Sequence, residues 1–160
     1  MYRKKHNAGF TMIEVLITLI ILSLGLLGLA GMQATGLKSN HEAYMRSQAT
    51  LLAYDMSDRM RANMAGVSAG NYNNISGIPQ SYTDCESNAC TPAQMAVFDT
   101  YQWNTALADK LPSGQGTVTT SGGISTLSVM WDHERSGASG TDCDPDDADD
   151  LKCFQVELEL

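Results

Sequence analysis

Residues 10–32 form a nearly unbroken apolar run of 23 residues in which Glu14 is the one charged side chain. At ~1.5 Å rise per residue a helix of that length covers about 34 Å, enough to cross a hydrocarbon layer of about 30 Å. Nothing else in the chain constrains the fold as much, because such a segment cannot stay in water uncovered. Two ordinary explanations fit it poorly. A secretory signal has an apolar core of about 7–15 residues and no carboxylate near its start, although Gly28 and Ala30 could frame a cleavage site. A plain single-pass anchor accepts the length but leaves Glu14 as an unexplained cost of about 2.5–3.5 kcal/mol.

A third explanation takes in the flanks. Arg3, Lys4 and Lys5 lead to Gly9, and then Phe10-Thr11-Met12-Ile13-Glu14 opens the apolar run, with Val15-Leu16-Ile17 following. This segment resembles the signal and first helix of type IV pilins and type II secretion pseudopilins. The resemblance implies cleavage between Gly9 and Phe10 on the cytoplasmic side by prepilin peptidase, which also N-methylates Phe10. Because the cut precedes the apolar run, that run would stay on a mature chain of 151 residues. The physics of Glu14 then has a role. An ionised carboxylate in hydrocarbon must find a partner or take up a proton. The freed amine of Phe10 stands four residues away on the same helix face, and the amine of the next subunit is another candidate. The resemblance favours the intermolecular pair, which would set the axial register of an incoming subunit.

Formal charge is −8 overall, and without the three leader cations seven basic side chains face 18 acidic ones, a net −11. A head that acidic repels nucleic-acid phosphates and anionic lipid, so no nucleic-acid partner is expected. Its four cysteines, Cys85, Cys90, Cys143 and Cys153, all follow the apolar run. An even count beyond a membrane segment reads as disulfides in an oxidising compartment, and the C-x4-C and C-x9-C spacings are poor for zinc. Each pair flanks a short loop, which predicts Cys85–Cys90 and Cys143–Cys153 among the three possible connectivities.

Beyond the anchor, Gly25, Gly28, Gly31 and Gly36 soften the end of the apolar segment. Met45, Ala49, Leu52, Met56, Met60 and Met64 then recur at helical spacing and predict that the helix continues over 38–64 with one apolar stripe. Glu42/Arg46 and Asp55/Arg59 are acid-first pairs at i,i+4, and Gly66 is predicted to end the helix. Residues 66–91 read as loop. Thr91-Pro92-Ala93-Gln94 is a helix start, with Thr91 as cap and Gln94 at the capping-box position. That helix should run to about Lys110, with Val97, Phe98, Tyr101 and Leu107 inward, and stop at Pro112-Ser113-Gly114. Residues 116–120 and 124–132 read as strands joined at Ser121-Gly122-Gly123, and 152–160 alternate as a third. A three-stranded antiparallel sheet of this kind needs a cover on one face, which the striped helix supplies.

The expected fold is therefore α+β: a type IV pilin fold, whose long N-terminal helix packs by its second half on a small antiparallel sheet. The expected divisions are a leader over 1–9, a transmembrane and assembly helix over 10–36, its amphipathic half over 37–65, and a periplasmic head over 66–160. Trp103 and Leu107, then Leu111-Pro112-x-Gly114-x-Gly116-x-Val118, then Val129-x-Trp131-Asp132 with Arg135, are similar to the minor pilins called PilV. That likeness implies a subunit active in pilus assembly or priming at the filament tip. Its partners would be other minor pilins, the major pilin and the inner-membrane assembly platform. The rival within the family is a type II secretion minor pseudopilin, and the rival from another class is a membrane-tethered periplasmic binding protein.

Enzyme chemistry finds little support. His6 lies in the leader and His41 on the helix, while His133 with Ser136 and Asp132 is too local for a triad. No P-loop occurs. The run Asp142, Asp144, Asp146, Asp147, Asp149 and Asp150 fails the EF-hand pattern twice, with Asp147 where glycine is needed and Cys153 where glutamate is needed. It reads as a solvated acidic loop. No cofactor or metal is expected.

Overall fold

The structure, a computed structural model, describes residues 9–160. Arg3, Lys4, Lys5 and His6 lie outside the described residues. The chain divides into two compact units, one running through His41 and the other covering Glu42–Leu160. In the first, helix α1 (Met12–Ala62) starts after Thr11, and residues 9–41 are exposed throughout.

In the second unit the remaining turns of α1 bury Met45, Ala49, Leu52, Ala53, Met56 and Met60, which follows the predicted stripe except at its end. Met64 is 44 % exposed and belongs to a separate short helix, α2 (Met64–Ser68). Gly66 does not terminate α1; it is buried within α2. The break falls at Asn63, whose side chain accepts from Gly66 N at 3.2 Å and donates to Tyr72 Oη at 3.0 Å and to the Pro92 carbonyl at 2.8 Å. An asparagine whose amide bonds locally and across the fold competes with the helical ladder and starts a new cap.

The stretch expected to be loop contains a strand, β1 (Ile75–Ser76), too short for any alternation to reveal. It is followed by α3 (Pro92–Lys110), β2 (Gln115–Ser121), β3 (Ile124–Trp131) and β4 (Lys152–Glu159). The sheet is a four-stranded antiparallel meander in the order β1-β2-β3-β4, one strand more than anticipated. Gly122 and Gly123 link β2 to β3 with φ of 62° and 85°, the two positive values that a tight two-residue hairpin demands. Register then sets the faces. Val118 lies opposite Leu127 and Leu127 opposite Val156, while Val129 lies opposite Phe154, so one face carries the apolar rows.

α3 begins as its cap predicts: Thr91 Oγ1 accepts from Gln94 N at 3.3 Å, and Gln94 Oε1 accepts from Thr91 N at 2.9 Å. Its inward face differs from expectation. Ala96, Phe98, Asp99, Thr100, Trp103, Asn104 and Leu107 are buried, whereas Val97 is 39 % exposed and Tyr101 half-buried. Trp103 turns the helix this way. Its fully buried ring donates from Nε1 to the Leu52 carbonyl on α1 at 2.9 Å, and Tyr101 stacks instead on Tyr82 of the preceding loop.

One core results, made of the α1 stripe, Trp103 and Leu107 of α3, and Val118, Leu127, Val129, Trp131 and Leu158 of the sheet. Each buried apolar side chain of this size contributes about 1.5–3 kcal/mol relative to exposure. α3 and β2 approach closely at Gly116. A Cβ there would lie 2.4 Å from Trp103 Cη2 and 2.6 Å from Leu107 Cδ1. Both neighbours are core side chains with nowhere to go, so Gly116→Ala is expected to destabilise the head by about 1–3 kcal/mol. The urea midpoint of the detergent-solubilised protein, followed by near-ultraviolet dichroism of its tryptophans, measures this. An unchanged midpoint would mean that the ring and the leucine yield freely.

Two disulfides clasp the loops, Cys85–Cys90 with Cα atoms 5.5 Å apart and Cys143–Cys153 with the same separation. Non-reducing peptide mapping should recover these two pairs, and a peptide joining Cys85 or Cys90 to Cys143 or Cys153 would overturn them.

Candidate functional site

The first residues of α1 and those before it form the candidate site. Gly9 and Phe10 precede the helix and Phe10 is 81 % exposed. Thr11 caps the helix: its carbonyl accepts from Glu14 N at 3.1 Å and its hydroxyl from the same N–H at 3.4 Å. Thr-x-x-Glu is the capping-box spacing, so Glu14 occupies the third helical position, where the aligned peptide dipoles favour a negative charge. Glu14 is exposed, as are Met12, Ile13, Val15, Leu16 and Ile17 around it.

The polar side chains that follow are satisfied by the helix itself. Thr18 Oγ1 donates to the Val15 carbonyl at 2.8 Å, Ser23 Oγ to Leu19 at 2.7 Å and Thr35 Oγ1 to Gly31 at 3.1 Å. That is the arrangement a helix needs where no water is available to take these groups. The glycines at 25, 28, 31 and 36 meet no atom within 4 Å of where a Cβ would stand, so nothing in the chain itself requires them small. A surface this apolar exceeds what a soluble chain exposes and needs hydrocarbon or protein against it.

Away from the helix start, a polar cluster joins the end of α1 to α3. Arg59 pairs with Asp55 at 2.9 Å, as predicted, and also reaches Asp99 at 3.2 Å and Gln102 Oε1 at 2.6 Å. Tyr72 Oη donates to the buried Asp99 carboxylate. Burial alone disfavours the charged guanidinium, but Asp55 and Asp99 outweigh it and hold Arg59 above its ordinary value. Burial, then the bond to Asp99, pushes the Tyr72 phenol well above its ordinary value. Every member of this cluster is bonded, which is how a structural network looks. Nothing along the chain signals that Asp99 points inward, because apolar spacing cannot register a buried charge.

The histidine near Ser136 and Asp132 does not join them. His133 Nε2 lies 3.3 Å from Glu42 Oε1 on α1. Asp132 instead accepts from Ser136 N at 3.1 Å and Gly137 N at 2.8 Å, closing a turn. Burial would raise the Asp132 pKa, yet these N–H donors outweigh it and hold the carboxylate below its ordinary value. In the acidic loop, Asp150 accepts from Asp144 N at 2.8 Å, Asp144 from Asp146 N at 2.9 Å and Asp147 from Asp149 N at 2.9 Å. Three of the six carboxylates are thus spent on the loop's own backbone. Among the described residues no three ligating side chains converge.

Two family models match the chain. Residues 4–30 match the prokaryotic N-terminal methylation motif, and residues 31–101 match the family described as type IV pilin Tt1218. Searches of curated proteins and of solved structures return no significant match. The matches adjoin each other, and the structure adds a long apolar helix followed by a small antiparallel sheet. Over these two segments the chain is similar to the type IV pilins, a family of structural, non-enzymatic subunits, and this supports a subunit of a pilus or pseudopilus.

Proposed function

We propose that this pilin is a minor subunit that takes part in assembly or priming at the tip of a type IV pilus. The observation that carries the subunit reading is Glu14. It stands at the head of a helix whose residues through His41 are exposed throughout, one helical turn after Phe10. The leader is cut between Gly9 and Phe10 by prepilin peptidase, Phe10 is methylated, and the helix anchors the subunit in the inner membrane with its head in the periplasm. Disulfides at Cys85–Cys90 and Cys143–Cys153 suit that oxidising compartment. In the filament the same helix exchanges lipid for neighbouring helices, and Glu14 pairs with the amine of an adjoining Phe10.

The PilV-like assignment rests on the head. The residues that carry that likeness are dispersed in sequence but Trp103, Leu107, Gly116, Val118, Val129 and Trp131 belong to one packed region. A pattern held together by packing carries more information than its separate letters, which favours a PilV-like minor pilin over a type II secretion pseudopilin.

Two measurements test the subunit reading. Intact-mass analysis of the protein from native membranes should give a chain that begins at methylated Phe10. A terminus at Met1, or near Gly31, would refute the processing. Glu14→Ala should leave cleavage and membrane residence normal while lowering incorporation into filaments. Truncating one member of a partly desolvated ion pair costs about 2–5 kcal/mol, or roughly 30-fold and upward in occupancy. The readout is the amount of this protein in sheared pili, or retained with partner pilins, relative to its level in membranes. An unchanged ratio would remove the recruitment role.

A further inference from the structure

The sheet ends on one side in β1, which has two residues, and on the other in β4, which has eight. Which backbone groups of β4 point outward follows from the β2–β3 hairpin. Gly122 and Gly123 close a two-residue loop, so Ser121 and Ile124 exchange both of their backbone hydrogen bonds. Bonding then alternates along β3 without interruption, because its register with both neighbours contains no bulge. Ser125, Leu127 and Val129 bond to β4, where Leu158, Val156 and Phe154 stand opposite them. The N–H and C=O groups of Gln155, Glu157 and Glu159 are therefore turned to the open edge, and no backbone partner meets them among the described residues.

An edge of this kind is a template for pairing, and folded chains often blunt it with a proline, a bulge or extreme shortness. β4 has none of these. Phe154, Val156 and Leu158 form an apolar row on its inner face, continued by Leu160, and all but Leu158 stay partly exposed although packed on the core. Gln155, Glu157 and Glu159 form the outer row, which is exposed and carries two charges of one sign. Such a row discriminates between strands, since like charges across a ladder destabilise it and opposite charges stabilise it.

We propose that this edge takes up an extended segment of another protein, in which basic and apolar side chains alternate. The segment adds to the sheet as a further strand, and its main chain supplies the missing partners of Gln155, Glu157 and Glu159. Its lysines or arginines then stand beside the two glutamates, and its apolar residues cover the exposed parts of Phe154 and Val156. A second copy fits worse, because it brings its own Glu157 and Glu159 to the same ladder. Nothing in this requires a filament, so the edge and the subunit reading can fail separately.

The test uses the mature full-length protein in detergent micelles, with amide hydrogen exchange read residue by residue by nuclear magnetic resonance. In the protein alone the amides of Gln155, Glu157 and Glu159 should exchange nearly as fast as in an open chain, and those of Phe154, Val156 and Leu158 slowly. A capped octapeptide alternating lysine and valine should slow the first three by about tenfold or more, saturably, and leave the second three nearly unchanged. The same peptide with glutamate for lysine should bind about tenfold more weakly, and Glu157→Lys combined with Glu159→Lys should reverse that preference. Both substitutions fall on exposed side chains, and the slow amides report whether the variant keeps its sheet. The comparison of the two peptides on the unaltered protein decides even where the variant does not fold. A lysine peptide methylated at the backbone nitrogens of its lysines keeps its charge and loses its donors. Equal binding by that peptide, or no slowing by the unmethylated one, overturns the proposal. So does slow exchange of the three outward amides in the protein alone: if fixed, its own chain covers the edge, and if rising with concentration, a second copy does.

Discussion

A helix that buries nothing in its own chain across residues 9–41 makes the rest of the molecule conditional on its surroundings. Leu, Ile, Val and Phe side chains along it are each about half or more exposed, so water is not a tolerable neighbour. Two media remain, lipid hydrocarbon and other apolar helices, and the transfer between them is nearly free of hydrophobic cost because both are equally dry. A subunit of the proposed kind can thus pass from membrane to filament without a large driving force for or against. On the function proposed above, what selects the filament is the polar exception, Glu14. A carboxylate in either medium is expensive unless paired, and only an assembly brings it the amine of another chain.

The second half of the same helix obeys a different constraint. From Met45 to Met60 it is the lid of a four-stranded sheet that would otherwise show an apolar face to water. Methionine suits that position because its unbranched chain fills the uneven floor of a twisted sheet. Packing alone leaves a helix free to slide or turn, and two polar contacts remove that freedom. Trp103 fixes α3 to the Leu52 carbonyl, and Arg59 is held between Asp55 on its own helix and Asp99 on α3. The second contact is part-buried and fully bonded, so removing one member would strand a charge; its main effect is to specify one arrangement rather than to add net stability.

Much of this was legible in sequence because its signals are local and redundant. The Phe10–Glu14 start, the Thr91–Gln94 cap and the Gly122-Gly123 hairpin each compress a geometric demand into a few adjacent residues. The misses share a different cause. Asn63 breaks α1 because its amide finds Tyr72 and the Pro92 carbonyl, partners nine and 29 residues away. β1 exists because Ile75 and Ser76 find Val118 and Thr117 on β2, not because two residues carry a strand pattern. Val97 faces outward because the bulkier Trp103 sets the rotation of α3. The buried Asp99 and the Trp131 indole, unpaired among the described residues, are likewise properties of assembled neighbours, beyond the reach of spacing along one chain.

The two disulfides lie where such long-range support is thinnest. Residues 77–91 and 132–151 lie between elements, and most of their hydrogen bonds run within a few residues of each other. Cys85–Cys90 and Cys143–Cys153 close loops of only five and ten residues of separation, so each removes a modest amount of chain entropy, on the order of 2–3 kcal/mol. Neither bridges the helix to the sheet, whose core already holds them. Their effect is to keep two surface loops in one shape without burying them. Loops held this way remain free to vary in sequence while presenting a fixed surface, which is what a subunit needs if its neighbours are to recognise it from the outside.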